Sequence, residues 1–323
     1  MQITDFGKTA SGALVQKITI GIGDLSAEIL TLGATLRHLG LKDMAYGLTL
    51  GSDKLADYAG DMLYFGALVG PVANRITGAK TTLNGTELQF VANENGNLLH
   101  GGKNGLHHKI WGIADHTADS VTLTLTLTDG EGGWPGTRQI RAAFRILAPA
   151  TLQLTITATT DANTLINIAN HSYWNLDGTT HWQGHSLQIA ADHTLPVDAA
   201  LLPTGQIAPV TGTTSDFRKG RVVAPGEPSL DTNFCLSDAK APLRPVASLT
   251  GASGVKMTLS TTEPGLQVYD AARTARPGKA AYEGFAIEAQ GWPDAPNHSN
   301  FPSVQITPDT PYTQITEWTF TKP

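Results

Sequence analysis

The feature that most constrains this chain is strict two-residue alternation. Between positions 121 and 128, Val121, Leu123, Leu125 and Leu127 interleave with Thr122, Thr124, Thr126 and Thr128. A pleated strand sends successive side chains to opposite faces, so such a run has one dry face and one wet face. β-Branched threonine suits the wet one. Leu152, Leu154 and Ile156 repeat the pattern, as do Ile18, Ile20 and Ile22 near the start and Met257 with Leu259 further on. Turn chemistry separates the runs. Asn84-Gly85, flanked by Thr82-Leu83 and Leu88 to Phe90, predicts a tight hairpin, because both residues tolerate positive φ. The stretch DGEGGWPG, Asp129 to Gly136, predicts a longer loop. Helical periodicity is nearly absent, apart from a short segment that Ser52 caps and that runs through Tyr58.

Strand signals recur from the first twenty residues to the last twenty, with no flexible linker, charge block, low-complexity tract or fixed-period repeat. One all-β domain over residues 1–323 is therefore expected, either a closed barrel or a large antiparallel sandwich. With Cys235 as the single cysteine no intrachain disulfide can form, so an apolar core has to hold the fold.

Charge narrows the partners. The 22 Lys and Arg against 28 Asp and Glu leave a net charge of −6, which disfavours nucleic acid, whose binders present a basic face to phosphates. The longest largely apolar run, Leu63 to Ala73, is broken by glycine and proline and falls far short of the ~20 residues of a spanning helix. MQITDFGKTASG at the start lacks a basic n-region and an apolar h-region, so a cytoplasmic location and no membrane partner are expected. No Gly-x-Gly-x-x-Gly, Walker-type loop or Gly-x-Ser-x-Gly elbow is present, so no nucleotide cofactor and no serine hydrolase are expected. His107-His108 and the His181/His185 pair match no zinc spacing, and no acidic third ligand stands near the second pair, so no metal is expected.

Five segments set costly polar groups beside apolar strand residues. Asn74-Arg75 follows FGALVGPVA; a buried arginine there needs either a structural ion partner or a ligand's oxygens for its guanidinium fork. His100 precedes two glycines that permit close approach of backbone or ligand, or it is a satisfied core histidine. Asn170 to Leu176, NHSYWNL, gathers two aromatics, two amides and His171, a set suited to a sugar's C–H face and hydroxyls, or to packing at a sheet edge. Glu288 ends the apolar run GFAIEAQ, where a carboxylate is expensive unless partnered or poised as a base. Asp231 in DTNF reads, from the residues alone, as a turn or cap.

Taken in order, VANRI (72–76), NLLHGG (97–102), NHSYWNL (170–176), DTNF (231–234), TEPGLQVY (262–269) and EAQGWPDAPN (288–297), with FPSVQITP near the end, resemble the aldose 1-epimerases, the galactose mutarotase family. The resemblance spans most of the chain. It implies a large antiparallel β-sandwich with a sugar site in a shallow cleft, and interconversion of the anomers of free aldoses such as galactose or glucose without a cofactor. It implies Glu288 as general base and His171 as general acid, with Asn74, Arg75, His100, Asp231 and Gln267 holding sugar hydroxyls. Three places depart from the family pattern: the 269–283 segment lacks the usual TGN-type loop, Thr232 stands where histidine is common, and the strand before the base lacks cysteine.

The chemistry suits the residues. Anomer exchange through the open-chain aldehyde needs the anomeric hydroxyl to lose a proton while the ring oxygen gains one. Apolar surroundings raise a glutamate from about 4.3, and a histidine near 6.5 is protonated close to neutrality. Three rivals make distinct demands. A binding module needs no poised carboxylate opposite a histidine. A glycoside hydrolase needs a second carboxylate, with Asp231 or Asp294 the candidates, and a phosphosugar epimerase needs cations beyond Arg75.

Overall fold

A computed structural model describes residues 2–323, and among them regular structure is strands and short 3-10 turns. Three antiparallel sheets carry the architecture. Residues 2–41 form a four-stranded meander, Gln2–Lys8, Leu14–Ile22, Leu25–Leu30 and Thr35–Leu41. A nine-stranded sheet includes the strands Ser120–Leu127, Arg138–Leu147, Thr151–Thr160, Tyr312–Thr321 and Lys256–Thr261 as consecutive neighbours. A six-stranded sheet runs Tyr173–Trp174, Phe285–Gln290, Gly265–Tyr269, Asp231–Cys235, His193–Leu195 and Ala208–Pro209.

Alternation fixes which faces meet. Arg138–Leu147 buries Ile140, Ala142, Phe144 and Ile146 while sending Gln139, Arg141 and Arg145 to solvent. The apolar faces of all three sheets join one hydrophobic cluster, in which Trp174 of the six-stranded sheet lies 5.6 Å from Trp318 and 5.8 Å from Phe320 of the nine-stranded one. Fully burying each such aromatic is worth about 1.5–3 kcal/mol, and this sheet-on-sheet contact is what makes the arrangement a sandwich.

Most sequence expectations hold locally. Asn84 (φ 50°) and Gly85 (φ 80°) turn the hairpin between Lys80–Leu83 and Thr86–Gln89, with Leu83 opposite Thr86. The loop after Ser120–Leu127 is tied down by Arg138, whose guanidinium donates to the carbonyls of Trp134 and Thr128 at 2.9 Å each. Two readings shift. Ile22 is 46% exposed because its strand ends there in the Gly23-Asp24 turn, past the edge of the core. Ser52 lies outside the short Leu55–Ala59 turn; its hydroxyl accepts the Lys54 N–H instead of capping the turn from its first position.

Candidate active site

The six-stranded sheet has two unlike faces. Trp174, Phe285, Ile287, Leu266, Val268 and Phe234 point into the core. Register sets Asn233 opposite Gln267 and Gln267 opposite Glu288, so these polar side chains share the other face, with Asp231 two residues away from Asn233. One strand thereby supplies both an apolar wall for the sandwich and the floor of a polar cavity. Gln267 Nε2 donates to Asp231 Oδ1 at 2.7 Å, while Gln267 Oε1 and Glu288 Oε2 are buried without a hydrogen-bond partner among the described residues.

A second wall comes from the loops of the NRI and LHGG segments. Arg75–Ile76 pairs with Leu98–Leu99, and the two loops exchange hydrogen bonds: His100 N–H to the Asn74 carbonyl at 3.0 Å, Asn74 N–H to His100 Nδ1 at 3.1 Å. With Nδ1 accepting, the ring proton of a neutral His100 sits on Nε2. Asn74 (φ 60°) and His100 (φ 53°) both adopt the left-handed backbone. Gly101 must be glycine, since a Cβ there would lie 2.2 Å from the Gly70 carbonyl oxygen at φ +78°.

His171 closes the site. Ala169–Asn170 pairs with Leu68–Val69, and His171 donates its N–H to the Ala67 carbonyl at 2.9 Å. That seats His171 Nε2 3.6 Å from Glu288 Oε1. The Tyr64 ring lies 5.8 Å from His171, roughly parallel to it, and 4.9 Å from His100. These groups, with Arg75, Glu94, Leu99, Tyr173, Tyr269, Arg273 and Thr274, line a cavity of about 320 Å³.

Burial dominates the electrostatics. Desolvation and the nearby Asp231 carboxylate push Glu288 well above the usual carboxylate range, with Arg75 opposing. Desolvation pushes His171 down to about 4 and His100 well below an ordinary imidazole. A histidine at its unperturbed value, as the sequence suggested, is therefore not what the site contains. Burial opposes the charged form of each member, and because the two groups are in contact they titrate as a coupled pair. His100, His171 and Glu288 are also the group a cation would find, since one ligand atom from each lies within 4.8 Å of the others. Two imidazoles and a carboxylate are a zinc-type donor set, which no spacing in the sequence announced.

All seven residues singled out from the sequence line this one cavity: Asn74, Arg75, His100, His171, Asp231, Gln267 and Glu288. Arg75 also has the ion partner that the alternative reading required. Its Nε and Nη2 both reach Glu94, the latter at 2.9 Å to Oε1, and its side chain is 9% exposed. Asp294 stands elsewhere, its carboxylate accepting from the Thr77 N–H and from Asn297. His107 packs edge-on against Tyr64, and His185 accepts the Leu176 N–H at 3.0 Å. An acid does approach that second pair: Asp177 Oδ2 is 3.5 Å from His185 Nδ1, a neighbour the linear spacing concealed.

Sequence reading passed over Tyr64, Glu94, Arg273 and Thr274. Glu94 had a usable signal, a carboxylate three residues before Asn97 in a segment otherwise rich in amides and glycine. Arg273 and Thr274 fall in the segment that departs from the family pattern. Its rim position is held by Tyr269 Oη, which accepts the Arg273 N–H at 2.8 Å, and by Arg276 on the Gly51 carbonyl at 2.6 Å.

A family model described as aldose 1-epimerase matches residues 16–319. The galactose mutarotase of Rattus norvegicus is 34% identical, over 98% of this chain and 97% of its own. The aldose 1-epimerase of Escherichia coli (strain K12) is 31% identical, over 81% of this chain and 82% of its own. Among solved structures, an aldose epimerase homologue from C. elegans superposes with a TM-score of 0.88 at 29% identity, covering 95% of this chain and 98% of its own.

Proposed function

We propose, since this chain belongs to the aldose 1-epimerase family, that Glu288 and His171 are the proton-transfer pair with which it works. The chain is a mutarotase: it interconverts the α and β anomers of aldose sugars. The observation that supports the assignment of the pair is the 3.6 Å approach of His171 Nε2 to Glu288 Oε1 in a cavity of sugar size.

The reaction follows from a pair that holds one proton. Glu288 takes the proton of the anomeric hydroxyl while His171 gives one to the ring oxygen, and the C1–O5 bond breaks to leave the open-chain aldehyde. Rotation about C1–C2 presents the other face, and the same two groups return their protons as the ring closes. Proton inventory is conserved at every stage. Burial keeps water from competing for either group, and the unpaired Gln267 Oε1 and Glu288 Oε2 are acceptors that sugar hydroxyls satisfy. Asn74, Arg75, His100, Asp231 and Gln267 hold the remaining hydroxyls, with Arg75 Nη1 and His100 Nε2 as donors and Asp231 as an acceptor.

Galactose is the substrate to try first, given the names of the relatives. On this reading the whole chain acts as one domain on a small sugar in the cytoplasm; among the described residues no helix is long and apolar enough to cross a membrane. His171→Gln tests the pair. Polarimetry of fresh α-galactose should show kcat reduced by about 10²–10⁴-fold, the usual worth of one proton-transfer group. A rate within threefold of the parent would remove His171 from the chemistry.

A further inference from the structure

The Arg75–Glu94 pair carries more than stability. We infer that Glu94 is a specificity-determining residue: by occupying the guanidinium fork of Arg75 at the cavity wall, it makes the site select neutral aldoses over sugars bearing a carboxylate or phosphate. This rests on the mutarotase reading of the cavity.

A guanidinium presents parallel N–H donors that match a carboxylate or phosphate edge, and in a half-enclosed cavity it would draw such a group in. Here the fork is taken. Nε and Nη2 both reach Glu94, leaving Nη1 as the donor without a hydrogen-bond partner among the described residues. One N–H suits a hydroxyl and cannot grip an anion in two places.

The charge lining the cavity points the same way. Two cations, Arg75 and Arg273, face three carboxyl groups, Glu94, Asp231 and Glu288. Arg273 sits at the open rim, 68% exposed and 3.7 Å from Asp231, so solvent and that carboxylate both weaken its pull. With the Glu288–His171 pair neutral when it carries its one proton, Glu94 turns a cavity of two cations against one acid, Asp231, into one of balanced charge, and it sets a carboxylate's repulsion where the arginine fork would otherwise attract an anion. Its position between the deep Arg75 and the rim, 28% exposed, places it where an entering anion would meet it.

The test compares α-galacturonate with α-galactose by initial polarimetric rates at pH 7 and low salt, for the parent protein, Glu94→Gln and Glu94→Ala. Gln keeps the shape and one contact to Arg75 without the charge. The parent should favour galactose, and both variants should raise the galacturonate-to-galactose ratio of kcat/KM by about tenfold, as expected for one charge removed from a partly screened site. An unchanged ratio in both variants overturns the inference. The parent alone gives a second reading, needed should the variants fail to fold. Raising salt screens the repulsion and should lift its own ratio; equal use of the two sugars, or a ratio indifferent to salt, overturns the inference as well. If the parent fails to turn over galactose at all, the mutarotase reading is what fails; intact galactose turnover with an unmoved ratio counts against Glu94 alone.

Discussion

The pH dependence of turnover is where the burial of the proton-transfer pair becomes measurable. In this cavity His171 is faced by Glu288, His100, Tyr64 and Tyr173, and burial brings its imidazole down to about 4. Against an ordinary histidine near 6.5, that disfavours its charged form by roughly 3 kcal/mol. The sign follows from proton counting. The active pair carries one proton; a second leaves Glu288 and His171 both protonated, which destroys the base function, and that doubly protonated, charged state is what burial opposes. The acid limb of kcat/KM should therefore be centred near 4. At pH 5.5 only about 3% of pairs would carry the second proton, against about 90% for a histidine at 6.5. Glu288, raised above the usual carboxylate range, sets the alkaline limb, where the last proton leaves and no acid remains. The assay is polarimetry on α-galactose from pH 3.5 to 9, with the buffer-catalysed rate subtracted at each point. An acid limb at 6.5 would refute the reasoning, since it would mean that burial does not shift the pair.

Two further outcomes follow from single residues. Burial holds His107 down to about 3, so between pH 6.5 and 3 the unfolded chain binds a proton there that the folded one refuses, and stability falls as pH drops through that window. His107→Phe, which keeps the ring contact with Tyr64, should recover about 2 kcal/mol at pH 5, seen as a smaller loss of Tm between pH 7 and 5; an undiminished loss counts against it. Arg75→Lys keeps the charge but cannot reproduce the two-pronged contact with Glu94, so KM for galactose should rise about fivefold to tenfold with kcat little changed, and unaltered steady-state constants would take Arg75 out of the site.

How much of this was legible beforehand depends on the range of the interactions. Strands and the Asn84-Gly85 hairpin are encoded by neighbours two or three residues apart, and they were readable. The core face of Arg138–Leu147 is likewise a local pattern. Individual site residues stood out because a polar group costs free energy beside apolar strand residues, which made Glu288 and Arg75 conspicuous. What joined them was the resemblance in the order of motifs; nothing in the local patterns says that residue 171 faces residue 288. The misses are long-range or environmental. Tyr64 covers two histidines 36 and 107 positions away, and Glu94 becomes visible as a partner only once Arg75 is seen to reach it. The low value of His171 is likewise set by enclosure, which no linear pattern states. Ile22 shows the converse, where a clean alternation outran the core it was packing against.

Paired measurements on Glu288→Gln bear most directly on the whole account. The amide keeps the shape of the buried side chain and removes its ability to accept a proton, so anomer interconversion should fall by about 10²–10⁴-fold while titration calorimetry still finds galactose bound within about threefold of the parent affinity. Parent-like optical-rotation kinetics in that variant would contradict the assignment of the carboxylate, and with it the claim that this cavity exchanges anomers by passing one proton between Glu288 and His171.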